Sequence, residues 1–293
     1  MDRAALVGLA VRVSIVLIVF SLGLRATHED ALYLFRRPRH LVRSLLSMNV
    51  VMPLVAVGIA IAFDLGVAVE ATLIALAVSP VPPILPKKEL KAGGRASYAV
   101  GLLVAEALLA IVFVPLAVEV LGWFFAKETH MPPTAVAHLV AITVLLPVSA
   151  GIVVRRLAPA LAERMAGPIS RGATVLLAVV AVLLVVNAWP AAMALIGNGR
   201  VLAIATFVVI GLGVGHVLGG PDPTDRTVLA LSTASRHPGI ALAIAARNFP
   251  RENLVTGAAL LYLLVSLILS FLYLRWARRQ RAEPSLPAAK MTA

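Results

Sequence analysis

The chain has no cysteine among its 293 residues, which excludes disulfides and thiolate chemistry. It is also poor in charge: Asp, Glu, Lys and Arg make up 14%, where a soluble domain carries about a quarter. Acidic groups are the scarcer kind, 14 against 26 Lys and Arg. There is no His-Glu-x-x-His, no other metal-ligand spacing and no carboxylate dyad within the apolar runs. These absences argue against an enzyme, and no metal or cofactor is expected.

What is abundant is apolar sequence, 60% of residues, with a mean hydropathy of +0.96. The expected fold class is an all-α polytopic membrane protein. No cleavable signal peptide is evident, because the apolar run from Ala4 continues too long and lacks a small-residue cleavage site. About 20 apolar residues cross the ~30 Å hydrocarbon layer. Nine runs qualify, near 4–24, 41–63, 66–86, 96–121, 134–154, 169–189, 200–219, 225–246 and 253–275. The basic tail after Arg275, residues 276–293, is expected to be disordered and cytoplasmic.

The net charge of +12 invites a nucleic-acid reading, but the basic residues sit in loops between the apolar runs, so no nucleic-acid partner is expected. Nineteen Lys and Arg fall in the loops after runs 1, 3, 5 and 7 and in the tail, including Arg36, Arg37, Lys87, Lys88, Arg155 and Lys290. Five fall on the opposite side (Arg3, Lys127, Arg200, Arg247, Arg251), and Arg12 and Arg236 lie within the membrane. The positive-inside rule then predicts the cytoplasmic membrane, with the amino terminus outside and the carboxyl terminus inside.

Two runs are interrupted. In the eighth, Ser235-Arg236-His237-Pro238-Gly239 stands in the middle of apolar sequence. Pro238 and Gly239 both disfavour helix, and an arginine deep in hydrocarbon costs several kcal/mol (~2.5 or more). The plainer alternative is a kinked helix with an arginine near its end. The third run ends Ser79-Pro80-Val81-Pro82-Pro83-Ile84-Leu85-Pro86, a proline density no continuous helix survives. An ordinary loop beginning after Ser79 is the alternative there. One broken segment in each half of a chain is a pointer to a transporter site near the bilayer midplane.

Several stretches together resemble the bile acid:sodium symporter family with its bacterial relatives. They are Phe20-Ser-Leu-Gly-Leu24 with Asp30 and Arg37-Pro38, then Met52-Pro53, Ser79-Pro80, Gly94 through Pro115, and Ser235 to Ala246. The resemblance implies two inverted five-helix repeats forming a core and a panel domain, with the two broken helices crossing in the core. On this resemblance the first helix of the ten-helix fold is expected to be missing, which leaves four plus five spans. A single transporter unit is then expected over 1–275, with its core near 41–121 and 200–275 and its panel near 4–24 and 134–189. In the family, sodium is held by side-chain oxygens. Carried over, the Ser-Asn pair falls on Leu85 and Pro86, the Ser and Thr of the next helix on Ala99 and Leu103, the Glu on Ser232 and the Gln on Arg236; another Gln falls on Met48, beside Asn49. A hard cation needs several oxygen ligands, and arginine offers none. Coupling through the two family sodium sites is therefore not expected.

The functional expectation is a secondary transporter of small organic anions working by alternating access. Arg236 would stand in for a coupling ion, with His237, Asn49, Ser235 and Ser232 lining the substrate site. Ser79, Pro80, Pro82, Pro83, Pro86, Pro238 and Gly239 are expected to form the breaks. Glu106, deep in run 4, either pairs with Arg236 or Arg12 or holds a coupling proton. Sodium symport through other ligands, and a non-transporting sensor or scaffold, are the alternatives.

Overall fold

A computed structural model describes residues 3–125, 129–252 and 254–282. Lys127, and Lys290 with the rest of the tail from 283, lie outside the described residues. Every element among the described residues is helical. The chain enters through α1 (Arg3–Gly23) and a single turn, α2 (His28–Ala31), which Thr27 and Asp30 cap reciprocally. It continues through α3 (Pro38–Leu45), a π-helical stretch Leu46–Val51, and α4 (Met52–Ala62), a single rod of 25 residues. Next come α5 (Val67–Val78), α6 (Leu85–Lys91) and α7 (Ala96–Phe124). A second rod is built from α8 (Pro133–Val140), a π stretch Ala141–Leu145 and α9 (Leu146–Leu157). The remainder is α10 (Pro159–Met193), α11 (Arg200–Leu218), α12 (Pro223–Ala234), α13 (Pro238–Asn248) and α14 (Val255–Ala282).

Both π stretches precede a proline, Pro53 and Pro147. A proline inside a helix lacks an N–H and its ring crowds the carbonyl four residues back. Widening the preceding turn to π geometry relieves that crowding and lets the rod continue.

Among the described residues, eight helices or helix pairs are long and apolar enough to cross a membrane, one fewer than the nine runs. The missing one is the third. Its helix α5 has 12 residues, about 18 Å at 1.5 Å per residue, and the proline run stops it short. α14, in contrast, runs seven residues past Arg275, so residues 276–282 extend the last helix rather than open a tail.

The largest buried apolar cluster draws on α4, α5, α6, α7, α8 and α11 to α14, with Met52, Leu73, Leu103, Phe207 and Tyr262 among its fully buried members. α1, α9 and α10 pack through smaller clusters around Val19, Val148, Leu24 and Ala162. α1 and α9 approach so closely that a Cβ at Gly23 would meet the Val148 carbonyl, and one at Gly151 the Phe20 carbonyl. Outward faces are apolar: Leu54, Val112, Leu116, Val179, Val186 and Phe271 are all exposed, as lipid contact requires.

The loops after runs 1, 3, 5 and 7 gather at one end. There Arg155 donates to the Arg25 carbonyl, Lys87 to the Ser170 carbonyl, and Arg95 to Asp222 and Asp225, while His40 lies 3.4 Å from Asp225. The opposite end is tied by Arg200 to the Leu65 carbonyl at 2.9 Å and by the His130 N–H to Asn248 at 2.7 Å.

Candidate functional site

The two interrupted segments meet at their breaks. The His237 N–H donates both to the Pro80 carbonyl and to Ser79 Oγ, each at 3.0 Å. The first break is Ser79–Ile84 and the second Ser235–His237. Pro80, Pro82 and Pro83 lie in the first. Pro86, expected there, instead sits in the first turn of α6, where a missing N–H costs nothing. Pro238 and Gly239 likewise open α13 rather than lie in the break, and His237 Nδ1 accepts from the N–H groups of Gly239 (3.1 Å) and Ile240 (3.4 Å). That makes Nδ1 the bare nitrogen and His237 a neutral helix cap. Its Nε2 has no hydrogen-bond partner among the described residues.

Arg236 is 1% exposed. Its Nη1 donates to the Ser79 carbonyl at 3.1 Å and its Nη2 to the Met48 carbonyl, so one guanidinium joins the first break to the π stretch. The Met48 acceptor is available for a reason. A π-turn pairs each carbonyl with the N–H five residues on, and for Met48 that residue is Pro53, which has none. The Arg236 N–H donates to Tyr262 Oη, which donates to the Ala234 carbonyl, both at 2.8 Å. Nε is unpartnered.

Asn49 Nδ2 donates to Glu106 Oε1 at 2.9 Å, both side chains buried. Among the described residues no ion pair joins Glu106 to Arg236 or Arg12. Arg236 has turned to the proline-freed carbonyls instead, although its charge still acts on Glu106. Ser232 is fully buried and donates to Glu89 Oε1 at 2.6 Å. Glu106 is therefore not the lone carboxylate in the core: Glu89 is 0% exposed, and in the sequence it is disguised by Lys87, Lys88 and Lys91. Tyr262 and the Ser47–Thr233 pair (2.6 Å) also escape a reading of the sequence, since neither stands out in an apolar run.

A cavity of about 310 Å³ opens beside the second break, lined by Ser235, Arg236, Pro238 and Tyr262, with Lys88 and Arg278 on its wall. A smaller one, about 150 Å³, lies between α1 and α10 on one side and α6 and α7 on the other, and holds Arg25, Asp30, Lys87 and Lys91. Near this end several loop charges are firmly held. Hydrogen bonds from the Thr224 side chain and backbone hold the Asp222 carboxyl below its ordinary range. Burial pushes Asp30 up, but hydrogen bonds from Ser97 and Thr27 outweigh it and leave that carboxyl lowered too.

The family model described as Sodium Bile acid symporter family matches residues 12–192, more than half of the chain and including the first break. The chain belongs to that family. It is a membrane transporter by membership, and membership points away from an enzyme. A relative named "Uncharacterized sodium-dependent transporter YocS" of Bacillus subtilis (strain 168) is 24% identical over 252 residues, spanning 83% of this chain and 75% of its own. Against that background, Leu85, Ala99 and Leu103 carry no side-chain oxygen and are packed into the main apolar cluster.

Proposed function

We propose that the protein is a secondary transporter of small organic anions in which Arg236 supplies, as a fixed charge, what a bound coupling cation supplies elsewhere in the family. The observation that carries this reading is the guanidinium's seat on two carbonyls from different elements, with no carboxylate in ion-pair reach among the described residues. Its positive charge is thus left over for an anion, and the start of α13 beside it adds partial positive charge. Ser235 shares the neighbouring cavity; Ser232, Asn49 and His237 stand behind it as positioning groups. Alternating access would move the unit of α3 to α7 and α11 to α14 against α1, α8, α9 and α10. The gathering of basic loops at one end supports a place in the cytoplasmic membrane with the amino terminus outside.

Labelled organic anions should enter proteoliposomes holding the purified protein equally well with sodium or choline outside. Flux should fall to the empty-liposome level in Arg236→Ala. Unchanged flux of every anion in that variant would remove Arg236 from the site. A second reading, sodium symport through other ligands, is favoured by the name of the Bacillus relative. Flux abolished by choline would establish it.

A further inference from the structure

Glu89 is a buried carboxylate for which the crossing of the breaks has no obvious structural use. It is 0% exposed near the end of α6; Oε1 accepts the Ser232 hydroxyl at 2.6 Å, and Oε2 has no hydrogen-bond partner among the described residues. Among the described residues no cation forms an ion pair with it. On its own helix Lys87 is committed to Ser170 and Thr174 of α10, and Lys88 and Lys91 line the cavities outside. From α7 it faces Tyr98, whose hydroxyl is bonded to Ser44 at 2.8 Å. From α12 come Ser232 and, beyond Tyr98, Asp225, which accepts from Arg95 and lies 3.4 Å from His40.

An ionised carboxylate in such a place costs more than one serine hydroxyl returns. A metal ion needs about six oxygens, and the hydrogen-bonded side chains here bring one carboxylate and one hydroxyl. A proton needs only one oxygen. We propose that Glu89 is the proton-binding site of the transport cycle, so that a proton is the mobile positive charge beside the fixed one on Arg236. The Glu89–Ser232 contact joins α6 to α12, the segments that flank the two breaks. Releasing the proton leaves a carboxylate that water must reach, which requires α6 and α12 to part there. Proton binding is thereby tied to opening at the crossing.

This deepens the transport reading, and infrared titration tests it without a substrate. Purified full-length protein in lipid nanodiscs, free of sodium, should show the carbonyl stretch of a protonated carboxylic acid, lost as pH rises. One component of that band should vanish in Glu89→Gln and survive in Glu106→Gln. A band unchanged in Glu89→Gln, or displaced by sodium at constant pH, overturns the proposal. If Glu89→Gln does not fold, Ser232→Ala keeps the carboxyl and removes its hydrogen bond. The band should then move to higher frequency, and an unmoved band overturns the assignment. In proteoliposomes, accumulation of organic anion driven by an inward proton gradient should be lost in Glu89→Gln; retained accumulation also overturns it. A titrating Glu89 band in a protein that moves no anion would sink the transport reading and leave the proton site standing.

Discussion

At the scale of single residues, the guanidinium of Arg236 answers a shortage of donors. Prolines at 80, 82, 83 and 53 strip N–H groups from two neighbouring stretches, and the carbonyls of Ser79 and Met48 take theirs from one side chain. A lysine carries the same charge, and so nearly the same desolvation cost, but its shorter side chain ends in a single nitrogen where Arg236 brings separate Nη1 and Nη2 donors to the two acceptors. The comparison of Arg236 with Arg236→Lys therefore isolates the hydrogen bonds. One buried carbonyl left unpaired costs about 1–3 kcal/mol. Thermal unfolding in detergent, followed by tryptophan fluorescence, should show a clear fall in midpoint for Arg236→Lys. Equal midpoints would mean that the two carbonyl contacts contribute nothing.

At the scale of elements, the π stretch before α4 is what presents Met48 to Arg236. Pro53→Ala restores an N–H to the rod, lets the preceding turns relax toward regular α-helix, and removes a residue that costs about 3 kcal/mol in a helix interior. The rod should hold or gain thermal stability while the Met48 carbonyl is drawn away from Arg236. The expected signature is lower anion flux with no loss of midpoint. Lower flux together with a lower midpoint would point to plain misfolding. This element also marks where the sequence ceases to be legible. Both breaks can be read from it, because prolines and a charge inside an apolar run are costly to any unbroken helix. The π stretch cannot, because Met52-Pro53 reads locally as an ordinary helix start, and only the tertiary partner of Met48 gives the widened turn a purpose. Counting prolines draws Pro86 into the break, although in a helix's first turn the same residue is harmless. Glu89 is hidden by its lysine neighbours, which make a buried carboxylate look like part of a solvated loop.

At the scale of the whole molecule, helix number and charge partition are legible to within one span, since hydrocarbon thickness and positive-inside bias act on composition alone. The loops assigned to one side do gather at one end of the bundle, held there by Arg155, Lys87 and Arg95. Which end faces the cytoplasm is a separate matter, and the lack of cysteine makes it directly measurable. Glu163 is exposed near the start of α10, at the basic end, and Thr134 is exposed at the start of α8, at the other. In intact cells a membrane-impermeant maleimide should label Thr134→Cys, and should label Glu163→Cys only after permeabilisation. The reverse pattern would invert the molecule and turn the cavity holding Arg25, Lys87 and Lys91 outward. The same two labels thus decide which side of the membrane the positive charge of that cavity faces.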